Sequence, residues 1–465
     1  MATNSITSVL TILSDAMPGQ VSTATDILQA HGKDYSWHRP AAPEAVCFPR
    51  SNEEVALIVK TCGEHGVPII PFGAGSSLEG GVLATRGGVS VDLTQMNKIL
   101  NVSVADMDCT VQGGVRRLQL NERLAADGMF FPVDPGANAT LGGMTATRAS
   151  GTNAVRYGTM RENVVSLKVV LADGQIIETG TRARKSAAGY DLTRLFVGSE
   201  GTLGIITEVT LRMQRIPARI EAAVIRFPDI SSAIDVVIKT HAAGIRMARI
   251  ELLDGLMMQG MNLYSNLQYP EQPTLFLEFN GSPSEVDDQV RAFRQLADRT
   301  VNPDAIGDGF EQAATPAERE RLWHARHHAY HSSIALRPGC QVMSSDVCVP
   351  MSKLNACVQA VRDDVARSSI IAPLVGHIGE GNFHMQFLVD PENDAEIAEA
   401  RLLHERLVNM ALSYGGTCTG EHGVGIGKRK YLEAEYGDAF GLLKNIKLAL
   451  DPGNIMNPGK VIALS

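Results

Sequence analysis

Three stretches in the first half of the chain set glycine beside small hydroxylated residues: PFGAGSS over 71–77, VDPGANATLGGMTATRASGTNAVRYG over 133–158 and VGSEGTLGIIT over 197–207. Glycine permits positive φ angles and lets backbone N–H groups close on an anion. Any one stretch alone would read equally well as a set of tight turns. Three together imply a large phosphorylated ligand lying along the backbone, and that demand constrains the fold more than any hydrophobic pattern here. Two familiar cradles are excluded. A Rossmann fingerprint needs a third glycine where Leu78 follows Gly73-x-Gly75. A P-loop ending at Gly427-Lys428 fails because His422 stands where its opening glycine belongs and Arg429 replaces Ser or Thr.

The elements around these stretches can be placed. Ser51 and Glu54 have the spacing of a capping box, and Val55, Ile58, Val59 and Cys62 then recur on one helical face until Gly66. The pattern predicts a helix, then a strand VPIIPFG that runs into the first glycine stretch. Between 164 and 180, VVSLKVVLADGQIIETG reads as two β-rich runs joined at Asp173-Gly174, a hairpin signal. A further strand, LGIITEVTLRM, starts at Leu203 and stops before Pro217, which places a boundary near 216. Beyond it, ISSAIDVVIKTHAAG predicts a helix, PTLFLEFNG a strand and SEVDDQVRAFRQLADR a helix opened by Ser284. This alternation predicts an α+β or open-faced sandwich domain. The closing LALDPGNIMNPGKVIALS, with turn chemistry after Asp451 and Asn457, reads as a loop-rich tail.

Length and composition bound the function. A chain of 465 residues suggests about two to four domains. Hydrophobic content of 44% with 20% charged residues is that of a globular protein, and no apolar run is long enough to span a bilayer. The net charge of -9 opposes a broad nucleic-acid footprint, which needs a basic face. The 7 cysteines are scattered with no C-x-x-C, so neither a disulfide framework nor a zinc knuckle is indicated and a reducing compartment fits. The amino terminus lacks a basic n-region, and Asp15 interrupts its only helical run, so no signal or transit peptide is expected. The expected location is cytoplasmic, with peripheral attachment at the inner membrane as the alternative.

The second half carries unusual imidazoles. VGHIGEGNFHMQF puts His377 and His384 in an otherwise apolar segment, and GTCTGEHGVGIGK sets Glu421 beside His422. A histidine on an apolar strand is by default a satisfied core residue. Two of them with a nearby Glu-His pair open another reading, because His377, His384 and Glu421 form a His₂Glu set suited to zinc or manganese with one coordination position left open. The spacing is not that of a helical H-E-x-x-H. LWHARHHAYH carries His324, His327, His328 and His331, and helical spacing puts the first, third and fourth on one face. No carboxylate or cysteine accompanies them, so a structural role is expected.

PFGAGSSLEGG, DPGANATLGG with ASGTNAVRYGT, and GSEGTLGIITEVTL resemble, in order and spacing, the FAD-binding domain of the vanillyl-alcohol oxidase and p-cresol methylhydroxylase flavoproteins. GHIGEGNFH, GEHGVGIGK and DPGNIMNPGK resemble the carboxyl-terminal half of FAD-linked D-2-hydroxy acid dehydrogenases, the group that includes D-lactate dehydrogenase, the glycolate oxidase D subunit and D-2-hydroxyglutarate dehydrogenase. The resemblance implies an α+β chain with a two-subdomain FAD-binding domain over 1–216, its core starting near 40. It further implies a substrate and metal-binding cap with an antiparallel sheet over 217–450, and a tail over 451–465 returning to the FAD domain.

Position by position, the resemblance assigns Pro71, Gly73, Ala74, Gly75, Ser76 and Ser77 to the pyrophosphate, and Pro135, Gly136, Thr140, Gly142 and Gly143 to the diphosphate and ribityl chain. Ser150, Gly151, Asn153, Tyr157 and Gly158 would lie near the flavin, Gly204, Ile205 and Ile206 on the adenine side, and Asn457 at the isoalloxazine. Arg148 stands where relatives often have Asn. The glycine loop holds no histidine, so non-covalent FAD is expected. The resemblance also implies His377, His384 and Glu421 as metal ligands, His422 as the base and Arg326 as partner of the substrate carboxylate.

D-2-hydroxyglutarate relatives carry a lysine before the D-x-x-x-P strand and an asparagine after the second metal histidine. Ser344 and Gln386 occupy those positions here, which points to a short acid, D-lactate before glycolate. The expected electron acceptor is a cytochrome, a quinone or an electron-transfer flavoprotein, and a homodimer is left open. A non-redox enzyme like alkyl-dihydroxyacetonephosphate synthase shares both halves of the architecture but calls for added cationic and apolar surface. A silent glycolate oxidase subunit would not need His377, His384, Glu421 and His422.

Overall fold

The computed structural model describes residues 2–301, 309–313 and 315–464, and the chain divides into two compact units. The first comprises Met1–Ser150, Gly158–Ile216 and Glu421–Ser465; the second comprises Gly151–Tyr157 and Pro217–Gly420. Helices mix with largely antiparallel strands throughout, the expected α+β class.

In the first unit the predicted helix spans Asn52–Glu64, and Ser51 Oγ accepts from Glu54 N at 3.2 Å. The Glu54 carboxylate reaches past the cap to Arg50 N rather than closing the box on Ser51. The helix follows the strand Ala45–Cys47 and precedes Ile69–Phe72, and both strands run parallel to Val89–Asp92 between them. A fourth strand, Val21–Ser22, pairs antiparallel at the edge. Val55, Ile58, Val59 and Cys62 are fully buried against Ile69, Val89 and Val91, and Ile455 and Met456 of the tail complete this core. Each such apolar side chain contributes roughly 1.5–3 kcal/mol by leaving water.

A five-stranded antiparallel sheet, in the order Ile99–Ser103, Asp108–Gln112, Ile205–Arg212, Val164–Val170 and Ile176–Glu178, carries the unit's other core. The hairpin predicted at Asp173-Gly174 forms, with Gly174 at φ +83 and Val170 paired to Ile176.

The second unit is built on an eight-stranded sheet. Its path runs Phe310–Gln312, Arg219–Arg226, Thr274–Gly281, Arg249–Leu253, Leu374–Gly376, Asn382–Val389 and Gln341–Ser344, with Val347–Cys348 also paired to Asn382–Val389. Every position of Asn382–Val389 is buried, as in a strand covered on both faces. The helix expected to open at Ser284 opens at Ser282: Pro283 sits in the first turn with its φ already helical, and Glu285 closes a capping box on Ser282.

The chain returns to the first unit at Glu421 rather than 451, and it lends Gly151–Tyr157 to the second. Hydrogen bonding accounts for both differences. Val424 N and Gly425 N donate to the Glu200 carboxylate at 2.6 and 2.9 Å, while Asn153 Oδ1 accepts from Arg249 Nε at 2.9 Å and Tyr157 Oη from Asn280 Nδ2 at 3.1 Å. The expected tail also begins as helix, since Leu448 to Leu450 close the helix Phe440–Leu450 and only from Asp451 is the chain irregular.

Candidate active site

In the first unit the strand Ile69–Phe72 delivers Pro71 directly into the loop Gly73 to Ser77. A Cβ on Gly73 would come within 2.2 Å of Thr140 Oγ1, and one on Gly75, at φ +66, within 2.8 Å of the Phe72 ring. At Gly73 the loop backbone therefore closes directly on the Thr140 side chain of the second glycine stretch. Thr140 Oγ1 also accepts from Gly143 N at 3.3 Å, and a Cβ on Gly142 would lie 2.9 Å from Gly113 O. Gly136, beside Pro135, has open space where a Cβ would go. Ala74 and Ser76 are half-buried in the same loop, and Ser77 Oγ accepts from Gly81 N at 3.2 Å.

Gly204 is held at the start of Ile205–Arg212, since a Cβ there would meet Val169 Cγ1 at 2.6 Å. Ile205 and Ile206 send their side chains into the two cores and pair with Val170 and Val169, so only their backbone faces could serve a ligand. Ser150 is buried in the first unit with Gly158 at φ +75, whereas Gly151, Asn153 and Tyr157 belong to the second. Arg148, itself left-handed at φ 55, gives its guanidinium to Val197 O at 3.0 and 3.3 Å and clamps the turn before Ser199.

Asn457 ties these pieces together. At φ 42 its N donates to Ile69 O at 2.8 Å, and its Nδ2 donates to Gly81 O at 3.0 Å and Glu200 O at 2.7 Å. Its buried Oδ1 and the buried Ser199 Oγ find no partner among the described residues. Backbone loops closed tightly enough to exclude a methyl, beside polar atoms still unmatched, fit a dinucleotide such as FAD.

Glu200 sits in the left-handed region at φ 50, where a non-glycine residue is strained. Burial pushes its carboxyl up, although the amides of Val424 and Gly425 and the charges of Lys428 and Lys460 pull the other way. Lys428, fully buried, pairs with Glu79 at 3.0 Å, and Ile426 N donates to Glu79 O at 2.8 Å. These bonds fix the segment carrying Glu421 and His422 to the first unit. Burial lowers Lys460 to about 8.

The second unit contains the other half of the chemistry. His377 follows the strand Leu374–Gly376, and His384 lies in Asn382–Val389 opposite Val375. The intervening turn closes on Gly381 at φ +81, where a Cβ would strike Val349 O at 2.2 Å. The two rings end with centroids 5.6 Å apart and planes at 87°. His384 Nδ1 lies 3.0 Å from Ser345 O, and a carbonyl can only accept, so that nitrogen carries the proton. His377 Nδ1 lies 2.8 Å from Glu251 Oε1. Acceptors on both Nδ1 atoms leave the Nε2 atoms as the ones that could ligate a metal.

Arg326 is buried at 7% exposure rather than lying on a solvated helix face, and its Nη2 donates to Glu251 Oε2. Its Nε has no acceptor among the described residues. Burial pushes the Glu251 carboxyl up, but the adjacent His377 and Arg326 outweigh it and hold the carboxyl below its ordinary range. Gln386 is paired across strands with Ser344, and its buried Oε1 lacks a partner among the described residues. Gly420 ends this unit against Asn382, whose Nδ2 a Cβ would meet at 2.2 Å, and Glu421 is the next residue along the chain.

Two carboxylates are given no role by the sequence. Glu251, in the strand RIELL, and Asp346, in the segment SSDVCVP, are 1% and 0% exposed, a tertiary property that the flanking residues alone do not signal. The four helix histidines straddle a break at His328, between Pro316–His327 and Ala329–Leu336. The His324 and His328 rings lie 4.1 Å apart, tilted by 35°, and Tyr264 stacks on His328 and His331 at 5.8 and 5.9 Å.

Comparison with known proteins adds independent findings. A family profile described as "FAD linked oxidases, C-terminal domain" matches residues 216–461, and one described as "FAD binding domain" matches 43–180. The chain is 48% identical over 449 residues to the "Probable D-lactate dehydrogenase, mitochondrial" of Danio rerio, covering 96% of this chain and 89% of that one. It is 46% identical over 460 residues to the "D-lactate dehydrogenase (cytochrome), mitochondrial" of Arabidopsis thaliana, covering 98% and 80%. Among solved structures, p-cresol methylhydroxylase with substrate bound superposes with a TM-score of 0.80 at 18% identity, covering 99% of this chain and 97% of that one. The expected cytoplasmic location, with its inner-membrane alternative, is corrected by these relatives, which are named as mitochondrial. Scattered cysteines report reducing conditions alone, and those are not peculiar to one compartment.

Proposed function

The chain belongs to the family of FAD-linked oxidases, and from that premise we propose that it oxidises a small D-2-hydroxy acid, D-lactate foremost, to the 2-oxo acid. The electrons pass to a cytochrome, with a quinone or an electron-transfer flavoprotein as competing acceptors; the name of the Arabidopsis thaliana relative favours the first. Bound FAD would supply the hydride acceptor, chemistry that no side chain offers.

The chain's own groups divide the remaining work. Arg326 offers its planar fork of N–H donors to the substrate carboxylate. His422 takes the hydroxyl proton, since neutral imidazole titrates in the useful range. His377, His384 and Glu421 would hold a divalent cation, zinc or manganese, whose charge favours the ionised hydroxyl. Ser344 and Gln386 present a hydroxyl and an amide where a longer dicarboxylic acid would want a cation, which supports a short acid.

One observation carries the reading. A buried arginine whose Nε finds no acceptor among the described residues shares a carboxylate with one of two Nδ1-tied imidazoles, an arrangement suited to a molecule whose carboxylate and hydroxyl sit on adjacent carbons. The test is a panel of D-lactate, L-lactate, glycolate and D-2-hydroxyglutarate on the FAD-loaded protein with a dye acceptor. D-lactate should reduce the dye and L-lactate should not. Equal rates on the two enantiomers, or faster turnover of the dicarboxylic acid, would sink the assignment.

A further inference from the structure

Resting on the reading of His377 as a metal ligand and Arg326 as the carboxylate partner, we propose that Glu251 is the positioning residue that couples the two, so that metal affinity and substrate affinity depend on one shared carboxylate. Glu251 lies on the interior strand Arg249–Leu253 at 1% exposure, paired to Phe276 on Thr274–Gly281. Its two oxygens divide: Oε1 meets His377 Nδ1 at 2.8 Å, and Oε2 accepts from Arg326 Nη2. The partners come from segments remote in sequence, and both bond this one side chain.

Three features separate this arrangement from a plain structural ion pair. A buried ion pair needs one cation, yet the second oxygen here is spent on an imidazole at the nitrogen that faces away from a ligating Nε2. Arg326 is oriented through Nη2 while its buried Nε finds no acceptor among the described residues, so the clamp keeps a donor in reserve. The two histidines are also unequal. His384 Nδ1 leans on a neutral carbonyl, with Asp346 Oδ1 farther away at 3.7 Å, whereas His377 leans on a carboxylate. A carboxylate on Nδ1–H raises the basicity of Nε2 more than a carbonyl does, making His377 the stronger donor of the pair. Because one anion serves both partners, a change in either is felt by the other, as linkage between two binding events requires.

The test uses FAD-loaded enzyme carrying Glu251→Gln, which keeps the shape and removes the charge. Zinc affinity, read by chelator competition, should fall by about 10–100-fold, the range for loss of such a supporting carboxylate. KM for D-lactate should rise while flavin content and the absorption spectrum stay those of wild type. Should the single variant fold poorly because Arg326 is left uncompensated, Glu251→Gln/Arg326→Gln removes both charges and must still bind zinc weakly, since that effect runs through His377. A folded, flavin-loaded variant with wild-type zinc affinity would overturn the inference. ¹⁵N resonances of His377 in metal-free protein separate this failure from failure of the metal reading itself. Wild type should show the Nδ1-protonated tautomer and Glu251→Gln a mixture; an unchanged tautomer rejects the role of Glu251 even if the native protein takes up no metal.

Discussion

At Gly73 an added methyl group would come 2.2 Å from Thr140 Oγ1, and at Gly381 2.2 Å from Val349 O, yet the two close approaches serve different ends. In the first unit, the missing side chain lets loop backbone close on Thr140 Oγ1, as Gly142 closes on Gly113 O, where we propose a ligand lies along the amides. In the second, the tight turn exists to aim side chains, bringing His377 and His384 to 5.6 Å and leaving Glu251 and Arg326 to fix their surroundings. A cradle of amides tolerates change in most neighbouring side chains. A cluster of buried charges tolerates almost none, because each group removed leaves another unpaired.

That contrast can be broken by substitution. The largest effect is expected at His422→Ala, which should lower turnover by about 10²–10⁴-fold, the usual contribution of a positioned base, while the purified protein stays yellow. Turnover near wild type would remove His422 from the chemistry. Arg326→Met comes next: it strands the buried Glu251 carboxylate, and loss of one partner of a buried pair costs about 3–5 kcal/mol, measurable by urea unfolding together with a raised KM. Flavin content should not change, and its fall in step with stability would refute the separation of the two roles.

A pH experiment probes the second unit without touching the cluster. Burial raises the Asp254 carboxyl from 3.8 to about 6, against the pull of the Met257 and Leu374 backbone groups. A raised folded-state pKa means that protonation favours the native state. The contribution is complete below 3.8 and is lost as pH rises through about 6, up to about 3 kcal/mol at 1.36 kcal/mol per pH unit. Asp254→Asn should flatten the stability profile across that window. Identical slopes in the two proteins would refute the assignment. The smallest effect is expected at Gly73→Ala, where crowding against Thr140 costs about 1–3 kcal/mol and should appear as lost flavin with zinc content unchanged.

Legibility in the sequence followed the same divide. The glycine stretches announced the cradle because a backbone requirement restricts residue type directly, and the helix at Asn52–Glu64 and the hairpin at Gly174 were readable for similar local reasons. His377, His384 and Arg326 could be named, but not their orientation. Glu251 sits between Ile250 and Leu252 in a short strand, and only burial, a tertiary property, distinguishes it from an exposed edge carboxylate. The return of the chain at Glu421 was missed because it depends on Glu79 and Glu200, far upstream, accepting the amides of a glycine loop. Ser284 lost to Ser282 because proline at the first helical position moves the start upstream.

The presence of Ile455 and Met456 in the core around Ile69 bears on how the molecule is made. A nascent chain that has emerged only as far as Ile216 already contains all three glycine stretches, but Asn457 has not yet reached Ile69 O and Gly81 O, and Val424 and Gly425 have not reached the buried Glu200 carboxylate. The loops around Gly81 and Glu200 therefore gain these bonds only after residues 424–457 have been made. An amino-terminal fragment ending at the first boundary should be captured by chaperones as an apoprotein and not accumulate as a small flavoprotein.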